Sequence, residues 1–136
     1  MATRISNDFV SKIMDGNAKL LVDEAQRFGK ELADDRLAKG QIRGAFGTVR
    51  QIQASWVAKP DAATAQKQLR KLLLLKPRLA YQKAREPKVG PLADVLIDAI
   101  DLVAKADNAD AQTQRFGYLV NLFEAILAYH TAGGGR

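Results

Sequence analysis

Apolar residues along almost the whole chain recur at every third or fourth position, which is the spacing of one face of an α-helix. Ile42, Phe46 and Val49 form one such stripe, and Ile52 and Trp56 continue it. No run keeps up the strict alternation of apolar and polar residues that marks a half-buried strand. For a chain of 136 residues with short connections, the pattern predicts an all-α fold. We expect a compact single-domain helical bundle of about five to six helices.

Cap and turn residues divide this pattern into helices. Asn17 and Asp61 stand where they can cap the second and fourth helices. The segment "REPKVGP" at 85–91 predicts a turn before the fifth helix, and the last helix is expected over 111–131. The stripes of the first two helices are Ile5, Phe9 and Ile13, then Leu21, Ala25, Phe28 and Leu32. The bundle is therefore expected to occupy residues 1–131, followed by a flexible tail at 132–136.

The last predicted helix, "RFGYLVNLFEAILAYH", is apolar nearly all the way round. Such a helix usually lies at the buried centre of its bundle, so Phe123 is expected in the core. Glu124 interrupts the apolar run, and a bare carboxylate is costly inside a core. We expect Glu124 either to have a basic or hydroxyl partner or to lie at an edge of the apolar face.

The positive charge of the chain is concentrated in one central segment. The net charge is +6, but residues 59–88 hold nine bases against two acids, and the remainder carries −1. Such clustering is typical of a protein that binds a polyanion, which in the cytoplasm usually means nucleic acid. A solvated helix face would give the same composition, so both interpretations stay open at this point.

Helical geometry separates the bases of this segment from its leucines. At about 100° per residue, Lys67, Lys71, Arg78 and Arg85 fall within about 40° of one another, along a ridge of about 27 Å. The leucine stripe, which includes Leu69, Leu72, Leu73 and Leu79, lies on the other side. Tyr81 stands beside the ridge, where it could stack on a base or sugar, although a tyrosine next to a core stripe is more often a packing residue.

Pro77 interrupts the same helix. It removes the hydrogen bond to the carbonyl of Leu73 and predicts a kink at this point. Lys76 falls among the leucines, so its side chain either extends along the apolar surface to water or is redirected by the kink. On the third helix, Arg43 and Arg50 lie seven positions apart on one flank of the apolar stripe. They either contact a partner or form the rim of an ordinary amphipathic helix.

The sequence offers little for catalysis. It has no cysteine and a single histidine, His130, which excludes a thiolate metal site and a histidine–cysteine nucleophile pair. Asp94, Asp98 and Asp101 share one face of the fifth helix; they could hold a magnesium ion, form a solvated face, or meet the basic ridge of another copy head to tail. No glycine-rich phosphate loop is present. We therefore expect a binding protein without enzyme activity, metal or cofactor.

Targeting and membrane signals are also missing from the sequence. The first residues lack the apolar core of a signal peptide, and no stretch approaches the roughly 18 apolar residues of a membrane span. The sequence predicts a cytoplasmic location and no membrane partner.

Four segments, in order, carry a resemblance to a known family. They are "DGNAKLLVDEAQRFGKEL", "QIRGAFGTVRQI", "LLLLKPRLAYQKAR" and "FGYLVNLFEAILAYH". Together they resemble the small subunit of the type III-A CRISPR effector (Csm) complex, over roughly residues 13–130. The chain departs from the family pattern at Lys39 and Gly40, where a serine or threonine cap is common, and at Ala84, where glycine is common.

The resemblance implies an all-helical, non-catalytic subunit that is present in more than one copy. Such copies stack along the complex, beside its backbone and large subunits, and help to bind target RNA paired with the guide RNA. The bases that lie inside the matching motifs are Arg43, Arg50, Lys76, Arg78 and Arg85. With Lys67 and Lys71 from the ridge, these are the predicted RNA-binding residues. The alternative is a protein-interaction module whose basic ridge docks on an acidic partner.

Overall fold

The structure is a computed structural model that describes residues 2–136, and this part of the chain contains seven α-helices and no strand. The helices are α1 (Asn7–Met14), α2 (Ala18–Asp34), α3 (Lys39–Ser55), α4 (Ala62–Leu73), α5 (Leu75–Arg85), α6 (Gly90–Ala104) and α7 (Ala109–Ala132), with a 3₁₀ turn at Pro87–Val89. α4 and α5 together occupy the place of the predicted fourth helix, so counting them as one gives six helices. The predicted all-α bundle of about five to six helices is confirmed.

Both predicted N-caps are present. The side-chain oxygen of Asn17 accepts a hydrogen bond from the amide of Leu20 at 3.0 Å, at the start of α2. Asp61 accepts one from the amide of Thr64 at 2.7 Å, and the pKa of its carboxyl is lowered by this bond. The caps satisfy amides that a helix start leaves without a partner, and they fix where α2 and α4 begin.

The last helix lies at the centre of the bundle, as its apolar composition predicts. Phe123 of α7 is fully buried, and its ring stacks on that of Phe46 in α3 with centroids 4.8 Å apart. On the other side, α2 approaches α7 very closely at Gly29. A Cβ atom at this position would come within 2.8 Å of the carbonyl oxygen of Ile126, so only glycine allows this approach.

Three residues of the predicted apolar stripes lie outside the core, namely Phe9, Leu69 and Leu73. Phe9 is 36% exposed, although Ile5 and Ile13 of the same stripe are buried. Leu73 is 37% exposed and the next residue, Leu74, is 55% exposed. Both predictions were wrong because each assumed one straight helix. Ile5 precedes α1, and the leucine run is interrupted between α4 and α5.

The interruption lies at Leu74, three residues before the proline that the sequence analysis identified as the kink. Starting a new helix at Leu75 places Pro77 in the first turn of α5. A proline costs little there, because the amides of the first turn have no acceptor within the helix. The break thus replaces a kink inside one helix with two short helices, which place Leu72 and Leu75 in the core and leave Leu73 and Leu74 outside.

The C-terminal residues lie against the end of the bundle. The amides of Gly133 and Gly135 donate to the carbonyls of Tyr129 and His130, each at 2.8 Å. The His130 side chain is fully buried beneath them, with Nε2 2.7 Å from the carbonyl oxygen of Leu37. Because a carbonyl oxygen can only accept a hydrogen bond, Nε2 carries a proton and donates to Leu37. The division into a bundle at 1–131 and a flexible tail at 132–136 stays a prediction.

Candidate nucleic-acid interface

The four ridge bases of α4 and α5 are all exposed. Lys67 and Lys71 lie on α4, and Arg78 and Arg85 lie on α5. None of the four takes part in an ion pair within residues 2–136. Lys67 acts on Asp61 only from beyond ion-pair distance, where its charge adds to the hydrogen bonds with Thr64 in lowering the pKa of that carboxyl. The four charges are therefore available to an anionic partner.

Two adjoining hollows lie between α3 and the α4–α5 pair, and together we call them the basic groove. The first encloses about 500 Å³ and is lined by Thr48, Gln51, Ile52, Ser55, Lys71, Leu74, Leu75 and Arg78. The second also encloses about 500 Å³ and is lined by Gly44, Ala45, Thr48, Leu75, Pro77, Arg78, Leu79, Tyr81 and Gln82. Lys71 and Arg78 are the charged residues among these, so the lining that the structure describes is basic and contains no acid.

The exposed face of α3 beside the groove consists largely of small residues. A Cβ atom at Gly40, Gly44 or Gly47 would meet nothing within 4 Å. The packing of the chain therefore gives no reason for glycine at these positions, where each glycine destabilises a helix by roughly 0.5–1 kcal/mol relative to alanine. Arg43 and Arg50 lie on the flank of this face that is turned away from the groove, by their helical angles. Bases thus stand on both sides of a smooth helix surface.

Arg43 and Arg50 differ in their surroundings. Both are exposed, and Arg43 makes no ion pair within residues 2–136. The guanidinium of Arg50 lies over the ring of Phe46, 4.7 Å from its centroid, and one of its nitrogens is 3.6 Å from a carboxylate oxygen of Glu124. The Glu124 side chain is 45% exposed. Glu124 thus has a basic partner and also lies at an edge of the apolar face of α7.

Lys76 does not join the other predicted RNA-binding residues. Its ammonium forms an ion pair with Asp101 of α6, on the leucine side of the helix where its helical angle placed it and away from the ridge. Lys83 in turn binds Asp94 at 2.8 Å, and Arg4 binds Asp98. All three aspartates of the α6 face are therefore neutralised by bases of the same chain.

This pairing bears on two interpretations of the aspartates. Within residues 2–136 no group of three or more histidine, cysteine, aspartate or glutamate side chains is arranged to hold a metal ion. The electrostatic reason for a head-to-tail contact through this face is also weakened, because each carboxylate already has a cationic partner.

Sequence reasoning missed two contributions to the site. Gln68 is buried, and its amide accepts a hydrogen bond from the Val57 amide and donates to the Val57 carbonyl, which fixes the corner between α3 and α4. Thr48 lies between the two hollows and lines both. The smooth face of α3 could have been predicted from the spacing of Gly40, Gly44 and Gly47, since residues four and three apart share one helix face. Nothing in the sequence marks Gln68 as buried.

Comparison with protein families identifies the chain at this point. The family model Csm2 Type III-A matches residues 15–136, which is most of the chain. The chain belongs to the Csm2 type III-A family. Csm2 proteins are the small structural subunits of the type III-A CRISPR effector complex, where they assemble with other Csm subunits. The resemblance in the four sequence segments is confirmed.

The other two comparisons give no match, either among curated proteins or among solved structures. Within residues 2–136, none of the helices has the length and apolar character needed to span a membrane.

Proposed function

We propose that this Csm2-family chain contacts the phosphate backbone of target RNA paired with guide RNA inside the type III-A effector complex. The residues assigned to this contact are Arg43, Arg50, Lys67, Lys71, Arg78 and Arg85. In this proposal the chain works in the cytoplasm as a non-catalytic subunit. It lies beside the backbone and large subunits and further copies of itself.

The observation that carries the proposal is the distribution of unpaired positive charge. Five exposed basic residues form no ion pair in the described part of the chain: Arg43, Lys67, Lys71, Arg78 and Arg85. In contrast, the lysines of α1 and α2 are paired with acids one turn away, such as Lys12 with Asp8 at 3.2 Å. The chain thus pairs the lysines of α1 and α2 with its own acids but leaves the basic residues near the groove without ion pairs within residues 2–136. A surface that binds a polyanion requires such free positive charge.

The small residues of α3 support a backbone contact. With no side chain at Gly40, Gly44 and Gly47, a sugar–phosphate chain can approach the helix surface while bases on either side reach its phosphates. Such contacts position RNA but carry no sequence information, because phosphates are the same in every sequence. In an RNA-guided complex, base pairing with the guide already supplies the specificity.

A second candidate is a protein contact on the same surface. Leu73 and Leu74 are 37% and 55% exposed beside Lys71, and exposed leucines flanked by bases suit an acidic amphipathic partner. The two functions differ in their response to unrelated RNA sequences. A phosphate-binding surface binds them about equally well, whereas a protein-docking surface binds none of them.

Replacing the two basic residues that line the groove tests the proposal. Lys71→Ala combined with Arg78→Ala should weaken binding of two unrelated single-stranded RNAs by about 25-fold at 0.1 M salt, from about 0.7 logarithmic units per lost contact. Fluorescence anisotropy with labelled RNA gives the dissociation constants. The matched control is Lys12→Ala combined with Lys30→Ala, which removes the same charge from α1 and α2. Equal affinities for the groove variant and the control would contradict the proposal.

A further inference from the structure

Tyr81 is the most exposed of the large apolar side chains that the structure describes, at 64% of its surface. Of the two roles that the sequence left open for Tyr81, this exposure excludes packing in the core beside the leucine stripe, and the side chain lines the second hollow. The ring therefore offers an aromatic face, open to solvent, within a basic surface.

The ring of Tyr81 is held in place by a cation. The guanidinium of Arg85 lies 5.7 Å from the ring centroid, and its NH1 donates a hydrogen bond of 3.1 Å to the tyrosine hydroxyl. This pair restrains the side chain although most of it is open to solvent. Proteins stack single-stranded nucleic acid on surfaces that combine an aromatic ring with basic side chains. Tyr81 and those lysine and arginine side chains around it that form no ion pairs within residues 2–136 have this composition.

The basic groove has the size and lining to receive flat heterocycles. Each hollow encloses about 500 Å³, within the range of small-ligand sites. In the first hollow, Ile52, Leu74 and Leu75 present apolar surface, and the polar side chains of Thr48, Gln51 and Ser55 can bond to the edge of a base. Arg78 borders both hollows, so a phosphate bound there would sit between two neighbouring bases.

We propose that the basic groove receives unpaired nucleobases of RNA, with one base stacked on Tyr81 and the adjoining phosphates held by Lys71 and Arg78. The inference rests on the proposed function and deepens it, since it makes this part of the site a binder of bases as well as phosphates. Stacking tolerates any base, because every base has an aromatic face. The groove therefore favours single-stranded over fully paired RNA without reading its sequence.

An abasic strand separates base contacts from phosphate contacts. The full chain is titrated with single-stranded RNA, with an abasic strand of the same length and phosphate number, and with the corresponding duplex. Wild type should bind the abasic strand about tenfold more weakly than the native strand, the range expected for one stacked base. Tyr81→Ala should weaken binding of the native strand by the same factor and leave binding of the abasic strand and of the duplex unchanged.

Two further measurements tie the effect to the ring. Tyr81→Phe keeps the aromatic face and should restore binding of the native strand, although it loses the hydrogen bond from Arg85. A strand that carries 2-aminopurine should change its fluorescence on binding wild type and not on binding Tyr81→Ala. Phe9→Ala is the matched control, because Phe9 is also a part-exposed aromatic but lies on α1, outside the groove.

Each contrary outcome overturns a stated part of the account. Equal binding of native and abasic strands to wild type overturns the inference and leaves the proposed function standing. A Tyr81→Ala variant that loses the abasic strand as well shows that Tyr81 only positions Arg85, and the inference fails. Failure of wild type to bind any of the three ligands overturns both. Displacement of native RNA by an acidic helical peptide, with no effect of Tyr81→Ala on RNA affinity, assigns the groove to a protein.

Discussion

At the scale of single residues, Phe123 has the largest expected effect on stability. It is fully buried and stacked on Phe46, so truncation to alanine leaves a cavity between α3 and α7. Phe123→Ala should lower the free energy of unfolding by about 3–5 kcal/mol. Urea denaturation followed by circular dichroism measures the change. Asn121→Ala, an exposed position on the same helix, is the control and should stay within about 0.5 kcal/mol of wild type.

Glu31 makes the stability of the N-terminal segment depend on pH. Burial alone would raise the pKa of Glu31, but the hydrogen bond from the Thr3 amide and the neighbouring Arg27 lower it below the ordinary value of 4.5. A carboxyl whose folded pKa is lowered stabilises the fold above its unfolded pKa and loses that contribution as pH falls through the folded value. The melting temperature of wild type should therefore fall below about pH 4.5.

The same dependence should be weaker in Glu31→Gln, which has no charge to lose. That variant should melt at a lower temperature than wild type at pH 7, and the difference should shrink towards pH 3. Asp110→Asn serves as a control, since Asp110 is exposed in the first turn of α7. A constant difference between Glu31→Gln and wild type across this range would show that the carboxylate contributes through shape and not through charge.

Glu124 of α7 competes with RNA for the positive charge of Arg50 on α3. Its carboxylate lies 3.6 Å from the guanidinium of Arg50, and both side chains are largely exposed, so the pair adds little stability. Glu124→Gln should leave the melting temperature nearly unchanged and release Arg50 for a phosphate. RNA affinity at low salt should then rise by up to about fivefold, the value of one phosphate contact, because Glu124 no longer competes with RNA for Arg50. Unchanged affinity in the same anisotropy assay would place Arg50 outside the RNA contact.

At the scale of elements, α3 offers a test in which stability and binding change in opposite directions. Gly44→Ala and Gly47→Ala fill open space, so each should stabilise the helix by about 0.5–1 kcal/mol. The added methyl groups should nevertheless weaken RNA binding several-fold, because they hold the backbone away from the helix surface. Gly117→Ala on α7 is the matched control, with the same open surroundings. It should raise stability and leave binding unchanged, and a similar result for Gly44→Ala would contradict the close approach.

The elements also show where sequence reasoning reaches its limit. Caps at Asn17 and Asp61 were predictable because each depends on a side chain and an amide three residues further along. The position of the break was not, because Pro77 forbids a continuous helix without choosing where the new one begins. Leu72 and Leu75 are both buried, one on each side of the break at Leu74, and this packing is not visible in the sequence. The partner of Lys76, Asp101, lies on another helix and was not predictable either.

At the scale of the whole molecule, the sequence predicted the bundle and the central position of α7, because apolar periodicity depends on local spacing. It placed the excess charge in one segment, but it did not predict which bases would be neutralised. The pairing of Lys76 and Lys83 with α6 depends on contacts between residues far apart in the chain. The basic groove could not be predicted from the sequence either, because it forms only where α3 lies beside the α4–α5 pair.

The salt dependence of RNA binding tests the central claim that the lysine and arginine side chains around the groove, which form no ion pairs within the described part of the protein, hold phosphates of RNA. If Lys67, Lys71, Arg78 and Arg85 each engage one phosphate, the logarithm of the binding constant for a single strand should fall with the logarithm of salt concentration with a slope of about −3. Lys71→Ala combined with Arg78→Ala should make this slope shallower by one to two units, at unchanged helicity. The Lys12→Ala and Lys30→Ala control should keep the wild-type slope. The same slope for the groove variant and wild type, with undiminished affinity, would mean that the basic groove faces protein or solvent instead of RNA.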